Sequence, residues 1–329
     1  MRRGFTIAEL LLVMVVLGVI VGISLGGLDR MDPGTRGFQK TMGTFLLSSR
    51  DRARVTGLPV VLSLDPETEE RNARLQRWVY RPVREATFEV ASRERENLFL
   101  VDPAILGQRG RVGAGLDLRL GGGVQVEGRA GVLASQQGLR LVFDVRPAEK
   151  SSGVLVDWKD LLQVKLRSDG SLQVFVMGGD GTRFSRQTVE TASRTVVFGQ
   201  WNHVAVMAQP AFDSKLPGIL SIDLGGQRVT QSPFLGQLPE VEATPYLGDT
   251  NGRFRGEMDE FSVWVRTQEV GPVLPGDAEL LIPVAEIHFD RFGRLDMNRH
   301  PQPIPVGIAQ VGELQEEFLI GRFSQEGMP

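Results

Sequence analysis

The chain contains no cysteine, which excludes disulfide staples, thiolate metal sites and a cysteine nucleophile together. Histidine is scarce as well: His203, His288 and His300 are the whole complement, and no imidazole cluster is apparent from their spacing. There is little excess charge of either sign. With 37 Lys and Arg against 40 Asp and Glu, the net charge is −3, so broad attraction to nucleic acid is unavailable. The apolar fraction of 41% is ordinary and excludes intrinsic disorder. A length of 329 residues suggests about two domains. Long hydrophobic runs are missing from almost the whole chain, and the mean hydropathy of −0.08 describes a soluble protein. That average conceals one exception, in the first thirty residues.

From Leu10 to Leu28 there is no charged residue, and Ser24 is the only polar side chain. Extended by Phe5, Ile7 and Ala8, the stretch 5–28 predicts a helix of roughly 36 Å against a hydrocarbon core of roughly 30 Å. A cleaved secretory signal and a buried core helix are the alternatives. A secretory segment is usually shorter and ends in a small-x-small cleavage site. Arg2 and Arg3 in front of the stretch orient it with the N-terminus inside and the remainder outside. Glu9 breaks the apolar pattern, and a carboxylate at that depth needs a partner.

The segment Arg3-Gly4-Phe5-Thr6-Ile7-Ala8-Glu9-Leu10, followed by the apolar run, resembles the N-terminus of type IV pilins and type II secretion pseudopilins. The resemblance implies cleavage between Gly4 and Phe5 by a prepilin peptidase and N-methylation of Phe5. Glu9 is then implied to pair with the terminal amine of a neighbouring subunit during assembly. It also implies a bacterial inner-membrane protein, single-pass, with its C-terminal domains on the periplasmic side. Gly22-Ile23-Ser24-Leu25-Gly26 matches the G-x-S-x-G pattern of a hydrolase nucleophile, but it has no strand before it and reads as small residues for close helix packing.

Gly26, Gly27, Asp32, Pro33, Gly34 and Gly37 predict a kink or melted stretch. Phe38, Met42, Phe45, Leu46, Ser49 and Ala53 then recur at helical spacing, with Lys40, Arg50, Asp51, Arg52 and Arg54 facing elsewhere. Gly57 and Pro59 form a helix stop. Val60–Leu64 reads as a buried strand and Leu75–Val83 as its return. The passage Thr56–Leu62 after a helix resembles the opening of a minor pseudopilin sheet.

Between about Val101 and Leu281 the chain alternates in short segments separated by Gly-containing turns, which predicts a β-sandwich. Val164–Val176 reads as a hairpin with Asp169-Gly170 as left-handed turn residues. Four ordered segments resemble the laminin G or concanavalin A-like jelly roll. They are Gly138–Pro147, Trp201-Asn-His-Val-Ala-Val, Leu220–Gly226, and Phe254–Phe261 with Val263-Trp264. Such modules often bind glycans or proteins, sometimes through calcium, and Asp249 and Asn251 are the best oxygen ligands for it. Turn chemistry accounts for the same two residues without an ion. Asp259 and Glu260 match the closing motif, in which an acid often tethers a neighbouring loop. Trp201 and Trp264 read as core rather than as a sugar platform, and His203 as a satisfied core histidine.

After Pro272 and Pro275, Glu286–Leu295 resembles a strand and turn of minor pseudopilins, and two further strands follow. Arg84–Asn97 forms a charged entry to the inserted module. The expected organisation is a leader (1–4), an N-terminal helix (5–57, membrane part 5–28), a first half-sheet (58–100), a jelly roll (101–282) and a second half-sheet (283–329). The expected fold class is therefore α+β: a long N-terminal transmembrane helix and an antiparallel pseudopilin sheet, carrying an all-β jelly roll. The functional expectation is a processed structural subunit of a secretion pseudopilus or pilus, partnered by other such subunits and displaying a binding module. The alternative is a membrane-tethered recognition protein for a glycan or exoprotein. Catalysis is not expected, since a glycosidase needs two facing carboxylates and no such pair is recognisable.

Overall fold

The computed structural model describes residues 34–65, 74–85, 106–107, 110–126, 136–211, 217–273, 278–284, 286–310, 313–322 and 325–326. They form two compact units, one from the described residues up to Val79 and from Gln268 onward, the other from Tyr80–Thr267. The sequence expectation put the corresponding boundaries at 100/101 and 282/283.

The first unit opens with helix α1, Gly34–Thr56. Met42, Leu46, Ser49 and Ala53 are each at most 1% exposed and lie on one stripe, as spacings of three and four require. Gly57, at φ +64°, ends the helix. Gly34 and Gly37 lie inside α1 rather than before it, because burial of the apolar stripe outweighs their low propensity. Arg50, off the apolar stripe, is nevertheless buried: it donates to Gly321 O at 2.5 Å and lies over the Phe289 ring. Strand β1 (Val60–Asp65) pairs antiparallel with β2 (Arg74–Glu85), Val61 opposite Trp78.

The second unit begins with the short strands β3 (Leu106–Gly107), β4 (Gly115–Asp117) and β5 (Gly122–Gln125). Then come β6 (Leu139–Pro147), β7 (Gly153–Trp158), β8 (Leu162–Leu166), β9 (Leu172–Gly179) and β10 (Phe184–Glu190). The remainder are β11 (Asn202–Gln209), β12 (Gly218–Leu224), β13 (Gln227–Phe234), β14 (Tyr246–Asp249) and β15 (Gly256–Val273). Within this unit one sheet runs β13-β12-β11-β6-β15, and β4 also pairs with β15; the other runs β10-β9-β8-β7-β14-β5. Alternate residues turn inward: Leu141, Phe143, Val204, Val206 and Ile222 from the first sheet join Leu155, Val164, Val174, Val176 and Leu247 from the second in one core. The result is a jelly-roll sandwich.

The chain then returns to the first unit. Strands β16 (Ala278–Leu281), β18 (Ile304–Gln310), β19 (Glu313–Ile320) and β20 (Gln325–Glu326) form a four-stranded antiparallel sheet, while β17 (Glu286–Phe289) pairs with β1. Ile287, Phe289, Ile304, Val306, Ile308 and Ile320 share a core with Met42, Leu46, Val60, Leu62 and Val79.

The α+β expectation is corrected. The described residues are mostly β, 53% of them in strands, with one short helix and a jelly-roll sandwich as the main architecture. No helix of the described residues is long and apolar enough to cross a membrane. The physical reason lies in α1 itself, which carries Lys40, Arg50, Asp51, Arg52 and Arg54 and is held by an amphipathic stripe rather than by uniform hydrophobicity. The expected membrane segment 5–28 lies outside the described residues.

Candidate functional site

Two strands of the six-stranded sheet of the second unit, β8 and β9, alternate strictly between inward and outward residues. Along β8, Leu162, Val164 and Leu166 are buried and Gln163 and Lys165 face outward; along β9, Gln173, Phe175 and Met177 face outward in the same way. Cross-strand register sets Tyr246 opposite Asp157, Asp157 opposite Gln163, Gln163 opposite Phe175, and Phe175 opposite Thr188. At about 4.8 Å per strand, this row crosses roughly 19 Å of the face.

Two cavities lie on this face, of about 510 and about 320 Å³, and both are lined by Asp157 and Gln163. Each is large enough for a small ligand. The larger adds Lys165, Arg167, Gln173 and Arg253; the smaller adds Phe175 and Arg186. The Arg186 guanidinium lies 3.9 Å and the Lys165 ammonium 5.3 Å from the Phe175 ring centroid. Arg186 also donates to Gln163 Oε1 at 3.4 Å. Arg167 pairs with Glu190 at 2.9 Å, and Gln173 donates to the same carboxylate at 3.2 Å. The face thus combines an aromatic ring, two amides, one central carboxylate and several cations.

Asp249 and Asn251 border the larger cavity. Asp249 is 2% exposed, and both its carboxylate oxygens accept backbone N–H groups: Oδ2 from Val154 at 3.1 Å and Oδ1 from Asn251 at 2.8 Å. A carboxylate so engaged fixes the 249–252 turn against β7, and turn chemistry explains it without an ion. Asn251 contributes its backbone N–H and is itself exposed. Among the described residues there is no group of three or more His, Asp or Glu placed to hold a metal. Burial and the nearby Asp249 raise the Tyr246 phenol above its usual range.

The other sheet carries a separate polar cluster. Asp144, 2% exposed, accepts from Arg111 at 2.7 Å and bonds His203 Nδ1 at 2.7 Å. His203 therefore has a partner but is not a core residue, since its side chain is 36% exposed. Trp201 and Trp264 are not core either. Trp201 is half-buried beneath the Arg146 guanidinium, and Trp264 donates its ring N–H to Ser262 Oγ at 3.1 Å; the fully buried tryptophan is Trp158. Trp201 and His203 share the parity of Ala205, outward on β11, whereas Val204 and Val206 point into the sandwich. Asp259 is 1% exposed and accepts the N–H groups of Val112 and Glu260, so it ties the 110–113 loop to β15.

Of the residues singled out in the sequence, Asp249 and Asn251 border the larger cavity. Gly4, Phe5 and Glu9 lie outside the described residues. Asp157, Gln163, Phe175 and Arg186 were missed; the alternation of the 162–179 hairpin signalled two of them, but which strands flank it is not readable locally.

Residues 134–270 match the family model of the concanavalin A-like lectin/glucanases superfamily, in its laminin G form. A search of curated proteins finds no match. Among solved structures, domain 4 of the GH43 extracellular arabinanase AbnA from Geobacillus stearothermophilus, in complex with arabinotriose, is 16% identical over 51% of this chain and 75% of that one, with a TM-score of 0.35. The CBM40 of a Ruminococcus gnavus sialidase bound to α2,3-sialyllactose is 16% identical over 45% and 88%, with a TM-score of 0.33. Domains LG4-5 of the mouse laminin α1 chain are 17% identical over 45% and 40%, with a TM-score of 0.32. The second unit of this protein therefore contains a laminin G/concanavalin A-like jelly-roll domain.

Proposed function

We propose that the jelly roll is a glycan-recognition module and that the outer face of its six-stranded sheet is the binding surface. The observation that carries this reading is the pair of cavities sharing Asp157 and Gln163, the smaller of them lined by Phe175. A sugar presents hydroxyls that both donate and accept, together with apolar C–H patches, and this face offers amides, a carboxylate and a ring in one continuous row. The superfamily matched by residues 134–270 includes lectins, which supports the same reading. Recognition is favoured over turnover because hydrolysis needs two facing carboxylates, and Asp249, beside Asp157 in the larger cavity, is committed to backbone donors.

A glycan array probed with the full chain tests the proposal. Binding that falls about tenfold or more in Gln163→Ala and Phe175→Ala, with an unchanged melting temperature, is the expected result. A flat array overturns it.

A second reading concerns the remainder of the chain and rests on sequence alone. Arg3–Leu10, Glu9 in particular, and the apolar run to Leu28 support a processed pilin-type subunit of the bacterial inner membrane that assembles with similar subunits and holds the module on the periplasmic side. A mere tether has no use for a carboxylate at Glu9.

A further inference from the structure

Within the second unit, most arginines near a carboxylate are matched to it: Arg111 to Asp144, Arg119 to Asp117, Arg146 to Glu257, Arg167 to Glu190 and Arg228 to Asp223. Lys165 and Arg186 differ. They flank β9 from the strands on either side and lie 5.3 and 3.9 Å from the Phe175 ring centroid; Lys165 lines the larger cavity and Arg186 the smaller, and the two cavities share Asp157 and Gln163. Neither has a carboxylate partner among the described residues, and Arg253, lining the same groove as Lys165, has none either. Two like charges held close to one ring repel each other, and an anionic group within reach of both lowers that repulsion. The Arg186 guanidinium carbon lies over the Phe175 ring, a contact that needs none of its N–H donors. Its N–H edges lie in the plane, where one already reaches Gln163 Oε1 and the others suit the two oxygens of a carboxylate or sulfate.

We propose that Lys165 and Arg186, one in each of the two adjoining cavities and both beside the Phe175 ring, form an anion-binding subsite on this face and select glycans that carry carboxylate or sulfate groups. The inference rests on the glycan-recognition reading and narrows its ligand class. Asp157, opposite Gln163 on the neighbouring strand, supplies hydroxyl acceptors and spaces the anionic groups of the ligand away from itself.

The test is calorimetric titration of the detergent-solubilised full chain with polygalacturonate, dextran sulfate and neutral dextran and xylan, at low and high salt. The charged polymers are expected to bind about tenfold or more tightly than the neutral ones at low salt, and to weaken as salt rises. The carboxylated and sulfated arms show which anion the subsite prefers. In the double variant Lys165→Gln/Arg186→Gln, binding of the charged polymers should fall about tenfold or more, while Lys150→Gln, an exposed cation outside the groove lining, leaves it unchanged. Lys165→Gln alone gives an intermediate loss and serves if the double variant melts early. Equal loss in Lys150→Gln marks non-specific polyelectrolyte attraction and overturns the subsite. Tight binding of neutral polymers only overturns this inference and leaves glycan recognition standing; binding of no polymer overturns both.

Discussion

The carboxylate of Asp259 accepts the backbone N–H of Val112 at 2.9 Å, across 147 residues of sequence. Its second oxygen takes the N–H of Glu260, which sits at φ +50° where β15 bulges between Asp259 and Ser262. The acid therefore holds a loop and a strained strand position at once. Asp259→Ala should cost about 1–3 kcal/mol, because two part-buried backbone donors lose their acceptor. Asp259→Asn, which keeps one carbonyl oxygen, should cost less. Urea unfolding followed by tryptophan fluorescence checks both, and a shift within error for the alanine variant would remove the tether from the account.

Asp249 should behave as a structural residue rather than an ion ligand. Added calcium or a chelator is expected to leave the melting temperature unchanged, while Asp249→Ala lowers stability by about 1–3 kcal/mol. Gly153→Ala probes the same contact from the other side. Gly153 has φ +146°, and an added Cβ would lie 2.5 Å from Asp249 Oδ2 and 2.6 Å from Phe254 N. Both variants should be destabilised. A calcium-dependent rise in melting temperature in the parent protein contradicts the tether.

The first unit should weaken in mild acid. His300 Nε2 accepts the His288 N–H at 3.1 Å, and His288 Nε2 meets Glu286 Oε2 at 2.7 Å. Burial, aided by the adjacent His288, pushes His300 down to about 4; burial also lowers His288, partly opposed by Glu286. Protons therefore bind the unfolded chain more readily than the folded one. Stability is full above the unfolded value of about 6.5 and is lost progressively as pH falls toward about 4. Asp169 and Asp180, each held at about 2 by hydrogen bonds from neighbouring backbone and hydroxyl groups, act in a lower window, from about 3.8 downward. Thermal melts of the parent and His300→Gln across this range separate the two. The variant should show a flatter profile between pH 6.5 and 4, and an unchanged profile removes His300 as the cause.

On the assembly reading, Glu9→Ala leaves cleavage between Gly4 and Phe5 intact and abolishes incorporation into a fibre. Mass spectrometry of the membrane-extracted chain reads the first outcome, and sheared-fibre immunoblots read the second. Normal incorporation of the variant rules out the assembly reading, as does recovery of the parent protein only as a free monomer after gentle extraction.

Local spacing made some of this structure readable and left the rest hidden. Met42, Leu46, Ser49 and Ala53 announced α1 because helical burial repeats within a few residues, and Gly57 marked its end. The β8–β9 hairpin was equally visible, although Gly170 alone adopts the left-handed conformation and Asp169 instead accepts from Ser171 and Ser193. Strand parity was the harder problem. Alternation shows that Trp201 and His203 share a face but not whether that face is inside, and aromatic content suggested the wrong answer. The groove was beyond reach for a different reason. Asp157, Gln163, Phe175 and Arg186 belong to four strands, and they become neighbours only through the order β7-β8-β9-β10.

The shared core of Met42, Leu46 and Val60 with Ile304, Val306 and Ile320 sets an order of events during synthesis. The second unit is continuous in sequence, so its sandwich can close while the ribosome is still adding the residues from Gln268 onward. The first unit has to wait. Its helix and opening hairpin emerge early but cannot bury their apolar stripe until β17, β18 and β19 arrive more than two hundred residues later. For that interval Met42, Leu46, Val60 and Leu62 are the surfaces most in need of a chaperone, and a chain truncated before β18 should lose the unit that was begun first.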